Sequence, residues 1–232
     1  MVLLPQFFVV KSMIKFDIIT IFPEMFSSYL SESLIARAQK LKLIKINAHN
    51  LRDFADDERG TVDDRPFGGG LGMVLKVEPI HKAVIKLSSL KLSSKKRKVV
   101  LFTPRGEKFN QKMAHKLSKL DQIIFICGRY EGVDERVAQK IADMELSIGD
   151  YDLMGGELPA MVCMEAISRL VPGVIGKKEL LKERVTKSGG FIEYAQYTRP
   201  EVFKNWRVPK VLLSGDHKKI EAWKGGHGKV IE

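Results

Sequence analysis

Cysteine is scarce in this chain, and long apolar runs are absent from its sequence. The two thiols, Cys127 and Cys163, both lie in apolar surroundings, which excludes a disulfide framework and a metal site of spaced cysteines. No apolar run approaches the length of a membrane span, so no membrane partner is expected. With 44% hydrophobic and 29% charged residues, the composition is that of a soluble globular protein, and the lack of disulfides favours the reducing cytoplasm.

Acidic residues are outnumbered by basic ones. There are 28 Asp and Glu against 39 Lys and Arg, a formal net charge of +11. From Lys82 to Lys98 there are seven basic residues and no acid. This excess favours a polyanionic partner, above all a nucleic acid, because Lys and Arg attract phosphates. A basic protein with a solvated lysine-rich loop is the alternative.

The familiar phosphate-binding loops are also missing. The glycine-rich segment Asp63 to Gly72 has no Gly-Lys-Ser/Thr ending, as a Walker loop requires, and its glycine spacing does not fit a dinucleotide fingerprint. It fits either a flexible surface loop or a loop that lets RNA or a ligand approach the backbone.

The order of the predicted elements indicates an α/β protein with a parallel sheet. Ile14 to Phe22 alternates and is rich in β-branched and aromatic residues, which favours a strand. Pro23 and Glu24 suit the first turn of a helix whose apolar positions continue to Leu41. A second strand is predicted at Leu43 to His49, and a β-α-β start is typical of parallel sheets.

Further elements continue this alternation, with Asp134 predicted as a helix N-cap. Predicted helices cover Val77 to Leu87, Asn110 to Leu120, Asp134 to about Ala142, Ala160 to Val171 and His217 to Trp223; predicted strands cover Lys98 to Thr103, Gln122 to Cys127 and Glu145 to Ile148. The polar tail Lys224 to Glu232 is expected to fray.

Three predicted strands end in unusual loops, which follow Phe102, Cys127 and Ser147. In open α/β sheets, ligands bind outside the carboxyl ends of the strands, so three such loops at one edge predict a small-molecule pocket. The third loop, Ser147 to Pro159, holds three glycines before an apolar helix. Taken alone, it fits either a turn that wraps a ligand or a glycine-rich connector.

Several of these segments together match one known family in order over about residues 13–223. They are Ile21 to Phe26, Leu51 to Phe54, Val62 to Gly72, Cys127 to Arg136, Ser147 to Pro159, Pro172 to Val174, Tyr197 to Glu201 and Val211 to His217. In these motifs the chain resembles the bacterial tRNA (guanine-N1)-methyltransferases of the SPOUT class. The resemblance implies a parallel-sheet SPOUT methyltransferase fold with a C-terminal trefoil knot, which hydrophobic periodicity alone could not have suggested.

The resemblance further implies that the knot loops bind S-adenosyl-L-methionine. The residues it places in the cofactor pocket are Thr103, Pro104, Gly128, Tyr130, Glu131, Gly132, Ser147, Ile148, Gly149, Asp150, Tyr151, Asp152, Leu153, Gly155 and Gly156, with Arg129 inside the second run. It also links Glu131 to Mg²⁺, although from the sequence alone Glu131 fits a helix-cap or salt-bridge residue equally well.

The implied reaction is methyl transfer to N1 of guanine 37 in tRNA, by a homodimer with the pocket at the subunit interface. N1 must lose a proton, which a carboxylate can accept, and a cation near O6 stabilises the charge that develops there. Arg169 stands at the position of the family's arginine; its alternative role is that of a helix-terminal arginine held by the helix dipole.

The chain departs from the family where the general base is expected. Twelve residues before Tyr197, where the family has an acid, stands Val185, which cannot accept a proton. Our hypothesis is that Glu183 replaces it, with Glu179 or Glu193 as other acids within reach. The alternative function is a knotted protein that binds cofactor and tRNA but methylates poorly or not at all.

Four regions are expected along the chain. Residues 1–12 are interpreted as an upstream extension, since Met13 precedes the first strand and no signal-peptide pattern is present. Residues 13–173 are predicted to form the knotted cofactor-binding domain and 174–196 a linker. Residues 197–232 are predicted to form a small helical tRNA-binding region, shorter than is usual in the family.

Overall fold

The computed structural model describes residues 13–88, 93–176 and 191–231. Glu183, Val185 and Glu179 therefore lie outside the described residues. The chain divides into two compact units, 1–178 and 179–232, each of which is described by itself. Among the described residues, no helix has the length and apolar character needed to cross a membrane.

The first unit is built on a parallel sheet of five strands in the order β2-β1-β6-β5-β7. These strands are β1 (Ile14–Thr20), β2 (Ile44–Asn50), β5 (Arg97–Lys108), β6 (Gln122–Ile126) and β7 (Met144–Ser147), and a separate two-stranded ladder joins β3 (Asp63–Asp64) to β4 (Val74–Leu75). All five residues of the central strand β6 are buried, as expected for a strand with helices on both faces. The parallel α/β prediction is confirmed.

Helices cover both faces of this sheet. They are α1 (Ser27–Leu30), α2 (Ser33–Lys40), α3 (Val77–Leu87), α4 (Gln111–Leu117), α5 (Glu135–Lys140) and α6 (Glu157–Arg169), with 3-10 turns at Pro23–Phe26, Leu51–Phe54 and Ser94–Lys96. Buried residues of α2, α4 and α6 pack on one face, and those of α3 and α5 pack on the other. Because all five strands are parallel, their carboxyl ends lie at one edge of the sheet, which these two helical layers leave open.

The single continuous helix predicted after β1 is wrong, because the structure has a broken one. A 3-10 turn and a short helix precede α2, and the break lies at Ser31 and Glu32, just before Ser33, whose φ is +53°. A positive φ interrupts the helical hydrogen-bond ladder and redirects the chain, which the helical spacing of apolar residues did not reveal. The N-cap at Asp134 is confirmed, since its side chain accepts a hydrogen bond from the Arg136 amide at 2.9 Å.

Strand β5 is longer than predicted because it pairs with β7 in two separate sections. Phe102 and Glu107 both lie opposite Leu146, and residues 103–106 bulge out between them. Gly106 makes the tightest approach, since a Cβ there would lie 2.6 Å from the Leu146 backbone nitrogen. Any side chain at this position would force the two strands apart.

Within residues 191–231, the second unit contains two antiparallel ladders and two short helices. Its elements are β8 (Phe191–Tyr194), β9 (Val202–Phe203), β10 (Trp206–Arg207), α7 (Lys210–Leu213), α8 (His217–Gly226) and β11 (Gly228–Ile231). The expectation of a frayed tail is wrong, because β11 pairs with β8 along its whole length. The short β11 segment could not be assigned alone, since its hydrogen-bond partner lies more than 30 residues earlier.

Candidate functional site

The three loops predicted to meet at the carboxyl edge of the sheet line one cavity of about 370 Å³. Its walls come from residues 101–105 of β5, residues 128–133 after β6, and residues 146–149 and 151–156 around and after β7, with Glu135 and Pro159 at the start of the next two helices. The volume lies in the range of small-molecule pockets.

The third loop is shaped by hydrogen bonds within itself. The hydroxyl of Ser147 donates to the Gly149 carbonyl at 2.9 Å, and the Tyr151 hydroxyl donates to the Ile148 carbonyl at 3.3 Å. The Tyr151 ring lies over Gly149, where a Cβ would come within 2.3 Å of a ring carbon. A side chain at Gly149 would therefore displace the Tyr151 ring from this turn.

The second loop is held by a neighbouring strand. The amide of Glu131 donates to the Met73 carbonyl at 3.0 Å, and the amide of Leu75 donates to the Gly132 carbonyl at 3.0 Å. Tyr130 has a φ of +59°, which turns the chain sharply before Gly132. Glu131 thus reaches the cavity wall from a backbone that is fixed on both sides.

A buried ion pair joins the second and third loops. Arg129 Nε donates to Glu157 Oε2 at 2.9 Å, and the exposed fractions of the two side chains are 16% and 1%. The other carboxylate oxygen accepts from the hydroxyl of Thr20, at the end of β1, at 2.7 Å. The guanidinium also lies 4.8 Å from the centre of the Phe22 ring. Charge, hydrogen bonds and stacking therefore fix the orientation of Arg129.

The two glycines before α6 accommodate this ion pair. A Cβ at Gly155 would lie 2.3 Å from Arg129 Nε, and one at Gly156 would lie 2.7 Å from the Cα of Cys127. The helix start therefore packs directly on the end of β6. Burial, with a smaller contribution from the Glu157 carboxylate, raises the pKa of Cys127 well above its usual value. Cys127 is thus a packing residue rather than a nucleophile.

Charged side chains mark the rim of the cavity. Arg105 donates to Glu135 at 2.6 Å and to Glu145 at 2.9 Å, and Arg105 and Glu135 both line the cavity. These two residues, with Val133 and Met154, were not predicted as site residues. Strand direction could have indicated them, because each lies within eight residues after the end of a predicted strand.

Most of the pocket residues expected from the motifs do line the cavity. They are Thr103, Pro104, Gly128, Tyr130, Glu131, Gly132, Ser147, Ile148, Gly149, Tyr151, Asp152, Leu153, Gly155 and Gly156. Asp150 does not line it and forms an ion pair with Lys108 on the exposed surface instead. Arg169 is exposed at the far end of α6, and Glu193 is exposed on β8 in the second unit.

A metal site is not formed by protein ligands alone in residues 13–88, 93–176 and 191–231, which contain no group of three or more His, Cys, Asp or Glu suited to a metal ion. Glu131 lines the cavity as a single carboxylate. Mg²⁺ commonly binds through one or two carboxylates with water and substrate oxygens, and Glu131 offers one such carboxylate.

Comparison with known proteins decides the family. The sequence profile described as tRNA (Guanine-1)-methyltransferase TrmD matches residues 14–230. The chain belongs to this family. The match covers both compact units, including the loops that surround the cavity.

Individual relatives support the same conclusion. The chain is 50% identical, over 91% of its length and 84% of the relative's, to a tRNA (guanine-N(1)-)-methyltransferase of Dictyoglomus turgidum. It is 50% identical to the enzyme of the same name from Carboxydothermus hydrogenoformans, covering 90% of this chain and 81% of the relative. A crystal structure of tRNA (m1G37) methyltransferase from Aquifex aeolicus superposes with a TM-score of 0.76 at 42% identity, covering 93% of this chain and 89% of that chain.

Proposed function

We propose that this protein transfers a methyl group from S-adenosyl-L-methionine to N1 of guanine 37 in tRNA. The observation that carries the proposal is the three-loop cavity in a chain whose relatives are named tRNA (guanine-N(1)-)-methyltransferases. The net charge of +11 supports a polyanionic substrate. A protein that modifies tRNA would work in the cytoplasm.

The cavity fits the cofactor in size and chemistry. Apolar side chains such as Leu101, Ile148 and Leu153 can contact the adenine ring, and the backbone around Gly149 and Gly155 can approach the polar groups closely. When bound, S-adenosyl-L-methionine supplies an electrophilic methyl group on a sulfonium. The cavity loops would hold this group in place. Glu131 can contribute one oxygen to a transient Mg²⁺ ion, and we derive no step that depends on one.

The reaction needs a base and a cation beside guanine. N1 loses its proton to a carboxylate, which we assign to Glu183, outside the described residues. The freed electron pair then forms the N1–carbon bond as the sulfur–carbon bond breaks. Charge that develops on O6 is stabilised by a cation, which we assign to Arg169.

The position of Arg169 favours a homodimer. Arg169 lies twelve residues along α6 from Glu157 beside the cavity, a distance of roughly 18 Å at the rise of an α-helix. Leu158, Val162 and Glu165 are exposed at helical spacing before Arg169, so all four share one face. A second copy that covers the apolar part of this face could bring its own cavity to Arg169.

The pairing of strands β5 and β7 supports the proposed trefoil knot. Strand β5 meets Leu146 on both sides of its bulge, and Phe109 donates to the Ser147 carbonyl at 2.8 Å. The chain therefore contacts β7, the strand that leads into the third loop, both before and after the bulge at residues 103–106. We propose that this is one crossing of the knot and, separately, that the second unit binds tRNA.

The decisive experiment is a methyl-transfer assay on unmodified tRNA with guanine at positions 36 and 37, followed by nucleoside analysis. We expect N1-methylguanosine from the wild type and its loss with Arg169→Ala. Glu183→Gln is expected to lower the rate strongly, with Glu179→Gln as a matched control in the same segment. Cofactor binding without any product would overturn the proposed function in favour of a binding protein, and a wild-type rate for Glu183→Gln would eliminate that residue as the base.

A further inference from the structure

We infer that Thr20, which lies outside the cavity, is a positioning residue that holds the cofactor pocket in its binding shape through Glu157 and Arg129. The inference rests on the proposed function in one respect only, since it takes S-adenosyl-L-methionine as the ligand of the cavity. Thr20 lies outside the sequence motifs, and Glu157 lies inside the motif Ser147 to Pro159 but was assigned no role of its own.

The hydroxyl of Thr20 donates one hydrogen bond and accepts another. Thr20 is fully buried at the carboxyl end of β1. Its Oγ1 donates to Glu157 Oε1 at 2.7 Å and accepts from the Phe22 amide at 2.9 Å. It therefore connects the turn after β1 to the first residue of α6. Thr20 is not among the residues that line the cavity.

The carboxylate of Glu157 links Thr20 to the cavity wall through Arg129. Glu157 is fully buried, and its second oxygen accepts from Arg129 Nε at 2.9 Å. Arg129 lines the cavity and donates to the Met154 carbonyl at 3.3 Å. One buried carboxylate thus ties the loop after β6 to the loop before α6, and these are two of the three cavity walls.

The packing leaves little freedom for Arg129 to adjust by itself. Its Nε lies only 2.3 Å from where a Cβ of Gly155 would stand, so the side chain rests directly on the backbone of the third loop. Its other side stacks on Phe22 at 4.8 Å. If the Glu157 carboxylate rotates, Arg129 and the backbone at Gly155 have to move together. Loss of the Thr20 hydroxyl is therefore expected to change the cavity wall.

The test compares Thr20→Val with Thr20→Ser in the full chain. Valine keeps the shape but removes the donor and the acceptor, whereas serine keeps the hydroxyl and loses only a methyl group. The probes are S-adenosyl-L-methionine and S-adenosyl-L-homocysteine, with Kd measured by calorimetry, and kcat and KM are measured for cofactor and for tRNA. If binding must restore the wall geometry that this hydrogen bond to a charged group otherwise holds, its loss is sufficient for about a tenfold effect on Kd.

We expect Thr20→Val to bind both probes about tenfold more weakly and to raise KM for the cofactor more than KM for tRNA. Thr20→Ser is expected to bind them with nearly wild-type affinity. Equal Kd values for the two folded variants would overturn the inference, even if the valine variant unfolds at lower urea concentration, because a purely structural role changes stability without changing affinity.

A second variant keeps the inference open to refutation if Thr20→Val does not fold. Arg129→Lys keeps the positive charge but cannot reproduce the fixed planar donors at Nε and at the Met154 carbonyl. It is expected to weaken cofactor binding at least as much as Thr20→Val, and unchanged affinity would overturn the inference. A wild type that binds S-adenosyl-L-methionine but yields no N1-methylguanosine would overturn the proposed function alone, and the Thr20 comparison would stand.

Discussion

Substitution of Gly106 by alanine tests the crossing of β5 and β7 directly. An added Cβ would lie 2.6 Å from the Leu146 nitrogen and 2.7 Å from the carbonyl carbons of Glu145 and Leu146. All three neighbours are backbone atoms of a paired strand, so no side chain can rotate away. The two strands would have to separate by several tenths of an ångström.

The expected cost follows from this geometry. Overpacking of a tight site costs about 1–3 kcal/mol, and we place Gly106→Ala near the upper value because only backbone can yield. For a chain of this size, 3 kcal/mol corresponds to a fall in Tm of roughly 6–12 °C. Residues 103–105 line the cavity just before Gly106, so weaker cofactor binding is expected as well.

The measurement is thermal unfolding followed by circular dichroism, with Gly176→Ala as the matched control. Gly176 has no heavy atom within 4 Å of an added Cβ, and it is not in the positive-φ region. Its substitution should therefore leave Tm nearly unchanged. If Gly106→Ala unfolded within a degree of Gly176→Ala, the close approach of β5 to β7 would be refuted.

Three further predictions concern charge and thiols. Burial alone would raise the pKa of Asp17, but hydrogen bonds from His49, Lys15 and Gln122 outweigh it and lower the pKa below the unfolded value of 3.8. The stability that ionised Asp17 contributes should be fully present above pH 3.8 and be lost as the pH falls through the lower folded pKa. Below about pH 4, the free energy of unfolding measured in urea should therefore fall more for the wild type than for Asp17→Asn. Burial raises the pKa of Cys127 strongly and that of Cys163 to about 12. Neither thiol should therefore react with a disulfide reagent at about pH 8 until the protein is unfolded. Reaction in the native state would contradict their burial. Binding of tRNA should weaken steeply with salt, and Lys95→Ala should reduce the slope of log binding constant against log salt concentration by about one if that exposed lysine contacts a phosphate. Lys82→Ala should reduce the slope less, because Lys82 forms an ion pair with Asp56. Equal slopes for the wild type and both variants would exclude the basic segment Lys82 to Lys98 as a tRNA contact.

Local sequence patterns were sufficient for the elements and for the edge at which the site lies. The continuous apolar run of β6 indicated a strand buried on both faces, and the helix Val77–Leu87 was predicted with its observed bounds. Strand polarity then placed the loops after Phe102, Cys127 and Ser147 around one pocket. These features depend on residues close together in the sequence, so periodicity and turn composition could reveal them.

Long-range contacts decided the features that local patterns could not reveal. Thr20 and Glu157 stand 137 residues apart, and nothing in either local segment indicates that they share a hydrogen bond. The double pairing of β5 with Leu146 depends on a strand some forty residues away.

The sequence by itself therefore determined an α/β chain of a tRNA methyltransferase family with a pocket at the strand ends. Only the tertiary structure determined how that pocket is held together. Its support comes from a buried carboxylate and a backbone crossing at Gly106, whose partners meet only when the sheet is assembled.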